Sequence, residues 1–305
     1  MSQRGAALIT AMLVTALAAT AASYIASRQQ LDIRRTANVQ ESAQAYLFAL
    51  GVESWAVETL RRDARNSSSD HPGEEWGTEL PALAVEGGVV AGSIEDQQGR
   101  FNLNNLINNK GEASPADIAI MQRLLRALAL KDDLVWYIVD WLDSNEQPSF
   151  PAGAEDYSYL ARERPYRCAN RPMASVSELR LVEGISPEDY QVLSKHVTVL
   201  EGHQPVNVNS AGAEVLQAVV EGLTPADAQQ IITERKDKPF DTVDSFLQHQ
   251  LVGNRLQNKD SISVTSDNFR VHVQAGYGRV RTMLHSLIVR RKGQIRVVQR
   301  SQGAA

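Results

Sequence analysis

Arg4-Gly5-Ala6-Ala7-Leu8-Ile9-Thr10-Ala11-Met12-Leu13-Val14 opens a stretch with no charged residue from Ala6 to Ser27. Those 22 residues make about 33 Å of helix at ~1.5 Å per residue, enough to cross a bilayer. Small residues dominate it (Ala16, Ala18, Ala19, Thr20, Ala21, Ala22), so the span is weakly apolar and gains from close neighbouring helices. Three readings fit. Arg4 with Ala19-Thr20-Ala21 supplies the basic region and cleavage site of a secretory signal peptide. The span alone makes a single-pass anchor. Alternatively, Met1 to Gly5 is a short basic leader cut after Gly5, leaving Ala6 as the terminus of a retained helix. Arg28, Arg34 and Arg35 flank the outer side and only Arg4 the inner, so the positive-inside rule does not discriminate.

Working outward, no turn signal interrupts the chain until Asn66-Ser67-Ser68-Ser69-Asp70. Ala43, Leu47, Leu50, Ser54 and Val57 recur at spacings of four and three, flanked by Gln40, Glu41, Gln44, Glu53 and Glu58. That stripe is the expected face for a partner helix. Continuity of this kind favours a retained spine, membrane in its first half and amphipathic in its second.

Apart from this segment the chain reads as globular, the 305 residues together having 43% hydrophobic and 22% charged side chains. A single cysteine, Cys168, excludes an internal disulfide and any Cys-rich zinc site. The six histidines follow no metalloprotease spacing, and neither a nucleophile-elbow nor a P-loop pattern occurs, so no catalytic constellation is legible. Charge is uneven: residues 203–267 carry 5 basic and 9 acidic side chains, residues 268–305 carry 8 and none. Such a split speaks to partners rather than to fold.

After a loop from Asp70 to Glu79, Val89 to Ile94 predicts a short strand; the alternating Phe269, Val271, Val273 and Ala275, the run Val280 to Val289, and Ile295 to Val298 predict three more, antiparallel. Between them lie about 170 residues, from Phe101 to Asp267, with a faint internal repeat. Phe101-Asn102-Leu103-Asn104 matches Val206-Asn207-Val208-Asn209; Ser114-Pro115-Ala116-Asp117 matches Thr224-Pro225-Ala226-Asp227; Ser175-Val176-Ser177-Glu178-Leu179 matches Thr242-Val243-Asp244-Ser245-Phe246. The last two pairs are helix starts, with a capping hydroxyl and an acid in the first turn. Two similar helical bundles are expected. The second resembles helix-hairpin-helix modules, which raises a membrane-tethered DNA-binding protein as the alternative function. Thr224 stands where such modules carry their second glycine, and the acidic balance of 203–267 opposes phosphate binding.

One loop has metal-ligand chemistry. Asp143, Asn145 and Gln147 alternate, Asp140 stands one helical turn earlier, and Glu155 with Asp156 follows. Oxygen donors without His or Cys favour calcium. The EF-hand template fails, because Pro148 and Ala154 occupy its glycine and glutamate positions. A solvated acidic loop is the bland reading of the same residues.

The leader and uninterrupted helix resemble those of type IV pilins and pseudopilins. Most of that family carries a glutamate at the position of Thr10; the K minor pseudopilins of type II secretion systems lack it. Those proteins also carry a large insertion between the helix and the last strands, and segments like Asp140-Trp141-Leu142-Asp143 and Gly153-Ala154-Glu155-Asp156-Tyr157. The resemblance implies an α+β, pilin-like fold interrupted by an all-α insertion of two SAM-like bundles. Its divisions would be a leader (1–5), a membrane span (6–27), spine and first strand (28–100), bundle one (101–202), bundle two (203–267) and closing strands (268–305). It further implies a non-enzymatic subunit at the tip of an inner-membrane pseudopilus, its globular part periplasmic. One or two calcium ions would be bound and no nucleic acid. Its partners would be the I and J minor pseudopilins, through them H and the major pseudopilin, then prepilin peptidase and exported substrates.

N-terminal sequencing of the mature chain separates the readings of the span. Retention predicts Ala6 as first residue; a terminus near Ala22 would show a secretory signal instead.

Overall fold

The computed structural model describes residues 3–303 apart from Gln257 and Lys292; Met1 and Ser2 of the leader lie outside the described residues. Helix α1 (Gln3–Asn66) runs 64 residues without a break. Leu8, Ile9, Leu13 and Leu17 in its first half are all exposed, and this is a helix long and apolar enough to cross a membrane. Gly5 and Ala6 lie in its first turns. The Thr10 hydroxyl donates to the carbonyl of Ala6 at 2.9 Å, satisfying itself within the helix.

The second half of α1 turns Ala45, Ala49, Val52, Ala56 and Leu60 inward at helical spacing. They pack on a five-stranded antiparallel sheet of order β1-β2-β7-β8-β9, in which β1 is Leu80–Val85, β2 Gly88–Asp96, β7 Asn268–Tyr277, β8 Val280–Arg291 and β9 Gln294–Gln302. Alternate residues Val90, Ile94, Phe269, Val271, Val273, Ala275, Leu284 and Ile288 supply the facing layer. The approach is close: a Cβ added at Gly92 would stand 2.8 Å from Val52. Glu41 fastens the base, its carboxylate accepting the Arg279 N–H at 2.9 Å in the β7–β8 turn, where Gly278 has φ +55°.

Three details depart from the sequence reading, one of them that the insertion is not all-α but carries two pairs of two-residue parallel strands. The first strand is β1, which that reading left out, and the strand expected at Val89 to Ile94 is the second and longer. Glu53, expected on the polar flank, is buried against the sheet: Arg300 of β9 donates to both its oxygens at 2.8 Å and the Ser286 hydroxyl to one of them. Ion pairing draws its carboxyl below the usual range despite the opposing effect of burial, which is the larger single influence.

The insertion occupies the place of a hairpin loop, because Asp96 on β2 and Phe269 on β7 are paired neighbours. It opens with β3 (Phe101–Asn102), continues through α2 (Pro115–Ala127), α3 (Leu134–Leu142), α4 (Asp156–Leu160) and α5 (Pro187–Leu193), and returns as β4 (Val197–Thr198), parallel to β3. The pattern then repeats with β5 (Val206–Asn207), α6 (Ala213–Val219), α7 (Pro225–Asp237), α8 (Val243–Leu247) and β6 (Ile262–Ser263), parallel to β5.

The internal repeat has a physical cause. Asn104 Oδ1 accepts the N–H of Met173 at 2.9 Å and Nδ2 donates to its C=O at 3.1 Å; Asn209 clamps Phe240 in the same two ways, at 2.9 Å each. Both clamped residues lie two positions before a capping hydroxyl, Ser175 or Thr242. The two units do not keep separate cores. One apolar cluster runs from Phe101 to Val264, and Arg123 of α2 donates to the Ala218 carbonyl of α6 at 2.6 Å.

Asn209→Ala strands the N–H and C=O of Phe240, at about 1–3 kcal/mol for each buried group left without a partner. Chemical denaturation is expected to show a loss of that size, with Asn104→Ala behaving likewise. A variant as stable as the parent would mean that the clamp is redundant.

Candidate metal centre and exposed helix face

The acidic loop leaves the buried end of α3, so Asp140 and Asp143 begin inside the protein, both almost fully shielded. Asp140 accepts the Ser149 N–H at 3.1 Å, which curls the loop back over it. Gly153 closes the curl, since a Cβ there would stand 2.2 Å from Asp140 Oδ2. The chain then enters α4 past Glu155, also buried, and neither Glu155 oxygen has a hydrogen-bond partner among the described residues. Asn170 lies alongside with a buried Oδ1 that is equally unpartnered, at a φ of +45°. Asn170 is the site residue the sequence reading missed; asparagine's tolerance of that backbone region was its only local signal.

The other candidates are placed differently. Asn145 turns its amide nitrogen to Asp143 at 2.8 Å and spends its oxygen on the Gln147 N–H at 2.7 Å, while the Gln147 side chain is exposed. Asp156 faces away, taking the Cys168 N–H at 2.9 Å and Arg167 at 3.1 Å. Three alternating oxygens aimed to one side, as an extended loop would give, are therefore not the arrangement; the carboxylates near enough to repel one another are Asp140, Asp143 and Glu155, whose oxygens do not all lie within 4.8 Å of one another. Burial, then Asp140, pushes Asp143 up to about 6; burial, then Asp140, Asp143 and Asp156, pushes Glu155 up to about 7. Buried, mutually repelling and unpaired carboxylates fit a hard cation, which would supply the missing charge and fill the empty valences of Glu155 and Asn170.

A tighter acidic group lies elsewhere. Oxygens of Asp63, Asp70 and Glu74 come within 4.8 Å of one another. Arg290 already serves it, at 2.7 Å from Asp63 and in contact with Asp70, and Glu74 accepts from Trp76 Nε1 at 2.8 Å. Burial, then Glu74 and Asp70, still outweighs Arg290 and lifts Asp63 to about 7.

On α1, Ala43, Leu47 and Ser54 of the stripe expected to meet a partner helix lie away from the sheet, whereas Leu50 and Val57 pack against its core. Ala43, Leu47 and Ser54 are exposed, Leu47 to 58%, and Leu50 and Val57 are half-buried.

The acidic loop yields a signed prediction. Folded-state values above those of an unfolded chain mean that the fold binds more protons than the unfolded chain does. Stability of the metal-free protein therefore falls as pH rises from about 4 through 7. Melting with a chelator at pH 5 and pH 8 should show that fall, and calcium should reverse it at pH 8. Glu155→Gln should shrink both effects. A flat profile without calcium response overturns the site.

Comparison with known proteins matches two family models, both described as type II secretion system protein K, to residues 99–202 and 206–265. The type II secretion system protein K of Pseudomonas aeruginosa is 38% identical, covering 99% of this chain and 93% of its own. That of Klebsiella pneumoniae is 32% identical, covering 99% and 97%. The crystal structure of the GspK-GspI-GspJ complex from enterotoxigenic Escherichia coli contains a chain that superposes with a TM-score of 0.79 at 25% identity, covering 89% of this chain and 100% of that one. With two protein K family models matched over residues 99–202 and 206–265 and a relative 38% identical over nearly its full length, this chain belongs to the type II secretion system protein K family.

Proposed function

We propose that this chain is the tip subunit of a pseudopilus, the one that initiates and caps its assembly and so enables export of folded proteins. The observation that carries this is the pairing of a bare helix face with a bulky head. The stripe at Ala43, Leu47 and Ser54 is open for another subunit's helix, whereas the insertion extends the sheet's distal end where a further subunit would stack. Thr10 supports it, because a hydroxyl bonded within its own helix makes no demand on a neighbour's terminal amine.

In this reading α1 crosses the inner membrane once, after prepilin peptidase cuts between Gly5 and Ala6, and the rest is periplasmic. Its helix partners are the I and J minor pseudopilins, by analogy with the GspK-GspI-GspJ complex; the H and major pseudopilins follow below, and exported substrates meet the head. The two helical units serve as SAM-like scaffolding without nucleic-acid binding or chemistry of their own. Calcium, held by Asp140, Asp143 and Glu155, neutralises the acidic loop and stiffens it.

Immunogold labelling of sheared pseudopili tests the reading. The parent and Thr10→Glu should mark one end only, and Leu47→Arg, which puts a charge in the helix contact, should mark few or none. Gold along the filament length, in either of the first two, refutes the cap.

A further inference from the structure

On the face of the sheet opposite α1, His272 of β7 and His285 of β8 are direct cross-strand partners. Their Nδ1 atoms stand 2.8 Å apart with the rings edge to face. The other nitrogen of His272, Nε2, lies 3.4 Å from Glu95 on β2. The other nitrogen of His285, Nε2, is buried with no hydrogen-bond partner among the described residues. No part of the pseudopilus reading uses these groups.

With both rings neutral, the partners dictate the tautomers. If His272 donates from Nε2 to Glu95, its Nδ1 is a lone pair, and the 2.8 Å contact requires His285 to donate from Nδ1. That choice leaves His285 Nε2 as a buried lone pair with nothing to accept. A cation between the two Nδ1 atoms resolves the conflict. Both Nδ1 atoms become ligands, the His285 proton moves to Nε2, and the orphaned acceptor becomes a donor beside the Gly303 backbone.

Geometry selects the ion. Two nitrogens 2.8 Å apart, each bonded at ~2.05 Å, subtend about 86° at the metal, near the 90° of a tetragonal site and well short of a tetrahedral angle. We infer that His272 and His285 form a bis-imidazole site for a tetragonal divalent ion, copper above all, with Glu95 holding the ring of His272. Copper heads the divalent series for nitrogen ligands, and nickel shares its geometry. A carboxylate on the far nitrogen of a ligating imidazole orients the ring and raises its basicity. Arg270 opposes a cation here, and Glu95, which also pairs with Arg100, offsets it only in part; the remaining coordination positions would be taken by water.

The test uses the full chain in detergent, stripped of metal, with excess calcium to fill the acidic loop. Titrated with copper(II) sulfate at pH 7.5, the parent should bind one equivalent, whose electron paramagnetic resonance spectrum is axial and shows coupling to two nitrogens. His285→Asn and His272→Asn should each weaken binding at least tenfold, and Glu95→Gln by about 10- to 100-fold. Joint substitution of His71, His196, His203 and His249 by Asn should leave it unchanged. A parent spectrum without coupling to two nitrogens overturns the site irrespective of how the variants fold, as does undiminished affinity in folded His285→Asn.

Discussion

Arg290 is the cation on which the two halves of the molecule converge. It extends from the end of β8 beneath the C-terminus of α1, where it meets Asp63 on the helix and Asp70 just past it, and donates to the Ser266 carbonyl at 3.0 Å. Asp70 in turn accepts the Ser266 N–H at 2.8 Å, and its carbonyl accepts from Asn207 Nδ2 at 2.9 Å. The same Asn207 nitrogen and the Ser266 hydroxyl reach the fully buried Asp96 at 3.0 and 2.7 Å. One connected set of polar groups thus joins the spine, the sheet and the second helical unit. A buried cation facing two carboxylates is stable only while every member is present, because removing one strands charge in the interior, at about 3–5 kcal/mol. The position of the head relative to the helix is set here.

The spine was legible because its pattern is long and its chemistry simple: an uncharged run, then residues at helical spacing, with no Gly-Pro signal before Asn66. The strand β1 was not. Leu80-Pro81-Ala82-Leu83-Ala84-Val85 lacks alternation, its proline cannot donate to a ladder, and it lies at the sheet's edge with four of its six residues exposed. Edge strands are defined by their neighbour, which local sequence does not contain. Glu53 escaped for the same reason: its partner Arg300 is 247 residues away.

The asparagine pairs show the opposite case. Asn102 with Asn104 and Asn207 with Asn209 were visible as a repeat, but what the repeat does required coordinates. The second asparagine of each pair substitutes for a strand partner by offering an amide to a backbone residue 69 or 31 positions away. In the acidic loop, residue types were readable and directions were not. Asp140, Asp143 and Glu155 are turned inward because α3 ends inside the core; Gln147 and Asp156 are turned out by the curl that Ser149 and Gly153 impose. The histidine pair was read as scatter, since residues 272 and 285 become neighbours only through strand register.

The insertion leaves and re-enters the sheet at one neck. Gln98, just after β2, accepts the Asp267 N–H at 2.6 Å and the Asn268 side chain at 3.0 Å, just before β7. To the frame below, everything between is a hairpin loop whose ends are already tied. Closing such a loop costs chain entropy that grows only logarithmically, roughly 0.6 kcal/mol for each doubling of length. The head can therefore be enlarged or trimmed over evolutionary time with little consequence for the spine, provided the knot at Gln98 and the contacts of Asn207 and Ser266 with Asp70 and Asp96 are kept. Selection on the filament and selection on whatever the head meets act on parts that are nearly independent.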